Sequence, residues 1–157
     1  MARGRFSPGI SILEQLATVL VDPETAAGEE YRARTDRNRR TFQEFVRLYY
    51  GERRVREAFD RHVAEDYRQH NPGIPDGREA TVAWLLRMTS GSRVTMDVRR
   101  VLVDGDFAVV QLIGSQGPED PGHAIMNIFR LEDGLIVEHW DVTQPIPTRT
   151  ASGRSMG

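Results

Sequence analysis

The chain has 157 residues, of which 39% are hydrophobic and 28% are charged, a balance typical of one soluble globular domain. It contains no cysteine, which excludes disulfides, thiolate nucleophiles and cysteine-ligated metal centres. All 21 basic side chains are arginine, so a lysine Schiff base cannot form. The net charge is -2, so the chain lacks the excess of positive charge that is typical of nucleic-acid-binding domains. No apolar stretch approaches the ~18 residues of a membrane span, and the N-terminus lacks a signal-peptide pattern. We therefore expect a cytoplasmic protein that binds neither nucleic acid nor membrane.

The N-terminal residues 1–37 differ from the rest of the chain and are treated as an extension. Residues 9–21 could form a short helix, which Asp22-Pro23 would end. Residues 28–40 are charged and poor in apolar side chains, which predicts a solvated linker. The alternative is a helix that docks on a partner subunit or covers a pocket.

Three amphipathic helices are predicted after this extension. Apolar residues at i, i+3, i+4 and i+7 define the first between positions 42 and 49, and Gly51 ends it. A second helix begins near Val55 and runs toward Tyr67. A loop rich in proline and glycine precedes the third helix, at residues 78–89.

Beyond Gly91 the apolar residues alternate with a period of two, which predicts four strands, at residues 93–103, 106–114, 123–131 and 135–143. Asp104-Gly105 and Asp133-Gly134 mark hairpin turns. Helices followed by an antiparallel meander predict an α+β domain at residues 38–147, with a flexible tail at 148–157. A strongly curved sheet would leave a cone-shaped pocket against the helices.

Polar residues interrupt these apolar strands. Asn127 and Gln111 each stand alone among apolar neighbours, and His139 and Asp141 share one face of the last strand. A buried polar group without a partner costs about 1–3 kcal/mol, so these residues need a neighbour, a water or a ligand. His139 is the most suitable proton carrier, because its ordinary pKa is near 6.5.

The register of the last hairpin decides which of these groups meet. A two-residue loop would pair Glu132 with Leu135 and place Asn127 opposite Trp140, away from His139. A three-residue loop with a bulge at Gly134 would place Asn127 opposite His139. We prefer the second arrangement, because it gathers the polar groups on one face.

Two segments together resemble a known family. Residues 66–72 (DYRQHNP) and 76–80 (DGREA) resemble the Tyr-x-Gln-His-Asn-Pro…Asp-Gly-x-Glu-Ala segment of SnoaL-like proteins. Residues 127–134 (NIFRLEDG) and 136–145 (IVEHWDVTQP) resemble that family's closing hairpin. The resemblance covers residues 38–147. It implies the nuclear transport factor 2-like fold and a homodimer or higher homo-oligomer. It also implies a cofactor-free polyketide cyclase that performs an intramolecular aldol condensation, or a relative with other chemistry.

The chain departs from the family pattern at two positions. The cyclases carry an acidic base where this chain has Asn127, and often a histidine where it has Gln111. A neutral amide cannot abstract a proton at neutral pH. We therefore expect His139, Asp141 and His70 to be catalytic, without a cofactor or metal ion. The residues expected to bind substrate are Asn127, Gln111, Trp140, Tyr67 and Phe129.

These observations favour a small-molecule enzyme of secondary metabolism that acts on a polyketide-like substrate by acid–base catalysis. One alternative is a non-catalytic ligand-binding or assembly protein on the same scaffold. Another is an epoxide hydrolase-like enzyme, in which Asp141 activates a water molecule held by Asn127.

Overall fold

The computed structural model describes residues 24–90 and 93–157. Helix α1 is Ala26–Val46 and continues into a π-helical turn at Arg47–Gly51. Helices α2 and α3 are Val55–His62 and Arg78–Thr89. The strands are β1 Val63–Gln69, β2 Thr95–Asp104, β3 Phe107–Ser115, β4 His123–Glu132 and β5 Leu135–Pro145.

The five strands form one sheet in the order β1-β5-β4-β3-β2. Strand β1 runs parallel to β5, whereas the other neighbours are antiparallel. The α+β fold with three helices against a curved sheet is confirmed. The sheet is mixed rather than purely antiparallel, because β1 adds a parallel edge to the predicted meander.

The predicted solvated linker at residues 28–40 is wrong, since these residues belong to α1. Two buried polar side chains attach the helix to the turn between β2 and β3. Thr35 Oγ1 accepts a hydrogen bond from the Gly105 backbone N–H (3.0 Å), and Asn38 Nδ2 donates to the Gly105 carbonyl (2.9 Å). A hydropathy pattern does not reveal the contact between α1 and the β2–β3 turn, because that contact is polar. The helix expected at 9–21 lies outside the described residues.

The second helix is also shorter than predicted, because it ends at His62 and the chain continues as β1. Val63 and Tyr67 are four residues apart, a spacing that places both on one face of a helix or of a strand. The edge of β5 decides between the two by offering backbone partners, with Val63 beside Ile136 and Gln69 beside His139.

The closing hairpin combines a tight turn with a bulge. Its loop has two residues, Asp133 and Gly134, both with positive φ (49° and 79°), and Glu132 pairs with Leu135. The preferred three-residue loop is therefore wrong. Val137 is an extra residue in β5, because Leu131 pairs with Ile136 while Arg130 pairs with Glu138. This bulge shifts the register by one residue, so Asn127 and His139 share the concave face as expected. The direct cross-strand partner of Asn127 is Asp141, however, and not His139.

The helices pack on the concave face of the sheet around a cluster of aromatic rings. Phe42 lies between two of them, with ring centroids 5.8 Å from Phe45 and 5.1 Å from Phe129. Phe45 in turn contacts Phe59 at 5.6 Å. The cluster joins α1 and α2 to β4.

Candidate active site

A cavity of about 200 Å³ lies between the helices and the concave face of the sheet. Most of its wall is apolar and aromatic, with contributions from α1, α2, α3 and β4. The principal rings around it are Phe45, Tyr49, Phe59, Trp84 and Phe129.

One side of the cavity is polar, because three adjacent strands direct amides, an imidazole and a carboxylate into it. Gln69 and Asn71 come from β1 and the residues after it, Asn127 from β4, and His139 and Asp141 from β5. Strand β5 lies between β1 and β4, so its His139 has an amide on either side. Cross-strand pairing places Asp141 opposite Asn127.

His139 is 6% exposed, and both of its ring nitrogens have protein partners. Nδ1 lies 2.8 Å from Gln69 Oε1, and Nε2 lies 2.9 Å from Asn127 Oδ1. Burial lowers the pKa of His139 from 6.5 to about 4, and the negative charge of Asp141 opposes only part of that effect. The imidazole is therefore neutral at physiological pH.

Asp141 is held in place by a single amide group. Asn71 Nδ2 lies 2.9 Å from Asp141 Oδ1 and 2.7 Å from Oδ2, while Asn71 Oδ1 accepts from the Gly73 backbone N–H at 2.7 Å. The loop after β1 thus fixes the amide, and the amide orients the carboxylate. Both carboxylate oxygens keep lone pairs free for a molecule in the cavity.

Three tyrosines bring phenol rings to the same cavity. Burial raises the pKa of Tyr49 to about 12. Burial also raises the pKa values of Tyr50 and Tyr67, and the nearby Asp141 charge adds to both shifts. These phenols stay protonated at neutral pH and can donate hydrogen bonds close to the carboxylate.

The structure brings five of the eight predicted site residues to the cavity: Asn127, His139, Asp141, Tyr67 and Phe129. Gln111, Trp140 and His70 lie on the outer face of the sheet and cannot contact a molecule in this cavity. Successive side chains of a strand point to opposite faces of the sheet. The residues next to Gln111 and Trp140 face the cavity and the core, so Gln111 and Trp140 face outward.

On the outer face, His70 and Trp140 belong to a separate cluster. Their rings stack at 4.9 Å with an interplanar angle of 6°, and His70 Nε2 lies 2.9 Å from Glu138 Oε1. Burial alone would raise the pKa of Glu138, but His70, Arg130 and Arg68 outweigh it and lower the pKa. His70 therefore belongs to a hydrogen-bonded cluster around Glu138 on the outer face rather than to the cavity.

Gln111 has partners of its own on that face. Arg100 Nη1 donates to its Oε1 at 2.6 Å, and its Nε2 donates to the Met156 carbonyl at 3.4 Å. The C-terminal residues therefore reach β3 from outside the sheet.

Sequence analysis missed four polar or phenolic groups of the cavity: Tyr49, Tyr50, Gln69 and Asn71. The sequence holds a signal for two of them, because Tyr67, Gln69 and Asn71 alternate with period two. The predicted helix runs toward Tyr67, however, and no strand is predicted here. Tyr49 and Tyr50 both reach the cavity through the π-helical turn at Arg47–Gly51, which a 3.6-residue period does not anticipate.

Comparison with known proteins identifies the family. The family model described as a SnoaL-like domain matches residues 42–139. The chain belongs to the SnoaL-like family, within the nuclear transport factor 2-like superfamily. No curated protein matches this sequence. Among the described residues, no helix is long and apolar enough to cross a membrane.

Solved structures support the same fold. TsrD from Streptomyces laurentii is 27% identical, with a TM-score of 0.54 over 68% of this chain and 88% of that chain. A candidate SnoaL-like polyketide cyclase from Jannaschia sp. CCS1 is 21% identical, with a TM-score of 0.56 over 71% and 88% of the two chains. A candidate ketosteroid isomerase from Kribbella flavida DSM 17836 is 22% identical, with a TM-score of 0.61 over 74% and 84%.

Proposed function

We propose that this protein is a cofactor-independent enzyme that removes a proton next to a ketone carbonyl and so promotes an aldol-type cyclisation or a related isomerisation. One observation carries the proposal: the Asp141 carboxylate lies in an aromatic cavity, oriented by Asn71, beside buried phenols. The names of the SnoaL-like cyclase and the ketosteroid isomerase above agree with this chemistry.

In this reaction Asp141 is the base, and the resulting enolate oxygen accepts hydrogen bonds from the phenols of Tyr50 and Tyr67. For a cyclisation, the enolate carbon forms a bond to a second carbonyl carbon, and the alkoxide takes the proton back from Asp141. For an isomerisation, the proton returns to a different carbon. No external electron donor or acceptor is needed in either case.

His139 has a different role in this proposal from the one expected from sequence. A neutral imidazole with both nitrogens engaged is a poor proton carrier, so it acts as a positioning group between Gln69 and Asn127. The cavity of about 200 Å³ is below the roughly 300–1,000 Å³ of common ligand pockets. A larger polyketide would therefore insert only its reacting ring.

Solvent exchange tests the proposal without knowledge of the natural substrate. Cyclic ketones of one or two rings, with and without an α-hydroxyl group, are incubated with the protein in D2O, and loss of the α-proton signal is followed by NMR. We expect faster exchange than in buffer for at least one ketone, and a fall of about 10²–10⁴-fold in Asp141→Asn.

Asp97→Asn is the matched control, because Asp97 is an exposed carboxylate on β2 that pairs with Arg99. It should exchange at the wild-type rate. Equal exchange by wild type and Asp141→Asn would reject Asp141 as the base. Ligand binding without any exchange above buffer would favour the non-catalytic binding protein.

A further inference from the structure

The orientation of the Gln69 amide is fixed by a backbone group. The Asn71 backbone N–H donates to Gln69 Oε1 at 2.9 Å, and a backbone N–H can only donate. The atom at this position is therefore the amide oxygen. His139 Nδ1 lies 2.8 Å from the same oxygen, so Nδ1 carries a hydrogen and donates it.

The other ring nitrogen of His139 then has no hydrogen to give. A neutral imidazole has one N–H, and among residues 24–90 and 93–157 no carboxylate is hydrogen-bonded to either nitrogen of this buried ring. The Nε2 lone pair would face the Asn127 Oδ1 lone pairs across 2.9 Å, which is repulsive. A half-turn of the Asn127 amide replaces this contact with an Nδ2–H···Nε2 hydrogen bond at the same separation.

The opposite end of the Asn127 amide faces the cavity. Asn127 is 7% exposed and lines the cavity, and His139 is its one side-chain hydrogen-bond partner within the described residues. After the half-turn this free end is the carbonyl oxygen. Asp141, the cross-strand partner of Asn127, adds its carboxylate oxygens beside it.

We propose that Asn127 donates to His139 Nε2 and presents its carbonyl oxygen to the cavity, where Asn127 and Asp141 form an acceptor pair for a ring with two adjacent hydrogen-bond donors. The inference rests on the proposed function, because it concerns the same cavity. It adds the class of ligand, a vicinal diol or the enediol form of an α-hydroxy ketone. That enediol is the species formed when an α-hydroxy ketone gives its α-proton to a base.

Size and polarity both favour this ligand class. A space of about 200 Å³ with aromatic walls admits a single six-membered ring with its substituents. A ring that carries only acceptors would leave both Asn127 Oδ1 and the Asp141 carboxylate without a donor, and a site built to hydrogen-bond a donor group rejects analogues that lack it.

The tautomer of His139 gives a readout that does not depend on turnover. Two-dimensional NMR of protein with ¹⁵N-labelled histidine and asparagine is recorded at pH 7, and His139 is assigned by comparison with His139→Gln. We expect the neutral Nδ1–H tautomer, with a scalar coupling from Asn127 Nδ2 to His139 Nε2 across the hydrogen bond. An Nε2–H tautomer or an imidazolium at pH 7 would overturn the proposal.

A matched pair of substitutions tests the donor role of Asn127. Asn127→Asp keeps the size but removes the N–H, so Nε2 gains a proton and His139 titrates at a higher pH than in wild type. Gln111→Glu makes the same amide-to-acid change on the outer face of the neighbouring strand and should leave the His139 titration unchanged. Equal titration of His139 in Asn127→Asp and wild type would contradict the proposal.

Two probes of nearly equal size test the ligand class. We expect 1,2-dihydroxybenzene to bind at least about tenfold more tightly than 1,2-difluorobenzene, measured by NMR titration under nitrogen, and we expect Asn127→Leu to abolish that preference. Equal binding of the two probes by wild type would overturn the ligand class. The expected tautomer and preference without ketone exchange would reject the proposed reaction while supporting this inference.

Discussion

His139 illustrates how the neighbours of one residue determine its chemistry. An imidazole is the usual proton carrier in catalysis at neutral pH. Here, however, burial lowers the pKa of the ring to about 4, and the amides of Gln69 and Asn127 contact its two nitrogens. Asp141, two residues further along β5, keeps free lone pairs at the cavity and is held by Asn71. Adjacent positions on one strand face therefore differ in role, because their partners differ.

The lowered pKa of His139 predicts that stability depends on pH. Between about pH 6.5 and pH 4 the unfolded chain binds a proton at this residue and the folded chain does not, so the free energy of unfolding falls as the pH falls. The loss is at most about 3 kcal/mol. Urea denaturation of wild type and His139→Gln at several pH values checks this, and the variant should lose less stability over that window. Parallel pH curves would contradict it.

At the scale of elements, the β4–β5 hairpin determines which residues reach the cavity. Its two-residue turn alone would direct Asn127 and His139 to opposite faces, and the extra residue Val137 reverses this. The turn requires positive φ at both of its residues, Asp133 and Gly134, as a type I′ turn does. The position of Asn127 and His139 thus depends on a bulge about 13 Å along β5 from Asp141, because four residues at about 3.3 Å each separate Val137 from Asp141.

Substitution of Gly134 separates backbone strain from crowding. A β-carbon here would meet only Thr41 Oγ1, at 4.0 Å, so space is available and the φ of 79° determines the cost. We expect Gly134→Val to lower the free energy of unfolding by about 1–2 kcal/mol. Gly134→Asn should cost less, because asparagine tolerates this conformation. Urea denaturation measures both, and equal losses would argue against a strained turn.

At the scale of the whole molecule, the aromatic cluster joins the helices to the sheet and also borders the cavity. Phe42 on α1 packs on Phe129, which is also part of the cavity wall. The same layer therefore provides stability and shapes the site. The expected homo-oligomer and cytoplasmic location stay predictions.

Truncation of this cluster should destabilise the protein strongly. Phe42 is completely buried, and we expect Phe42→Ala to cost about 3–5 kcal/mol in the free energy of unfolding. Phe107, which is 46% exposed at the outer face, provides the control, and Phe107→Ala should cost much less. Thermal and urea unfolding measure both variants. Similar losses would show that the cluster is not the main packing centre.

The amino-acid sequence was enough to predict the α+β class and the antiparallel order of β2, β3, β4 and β5. It also singled out the polar residues of β4 and β5 as candidates for a site. Local periodicity and turn chemistry suffice for these features, because each depends on residues close together in the chain. The resemblance of residues 66–72 and 127–145 to SnoaL-like proteins identified the family, which the domain match confirms.

The remaining features of the site depend on contacts between segments far apart in the chain. Residues 63–69 fit a helix or a strand, and the exposed edge of β5 selected the strand, which brought Gln69 and Asn71 to the cavity. The bulge at Val137 and the π-helical turn at Arg47–Gly51 leave no periodic signal in the sequence. The bulge brings Asn127 and His139 to the cavity, and the π-helical turn brings Tyr49 and Tyr50 there. Side-chain direction depends on register, and register is settled by pairing between distant segments.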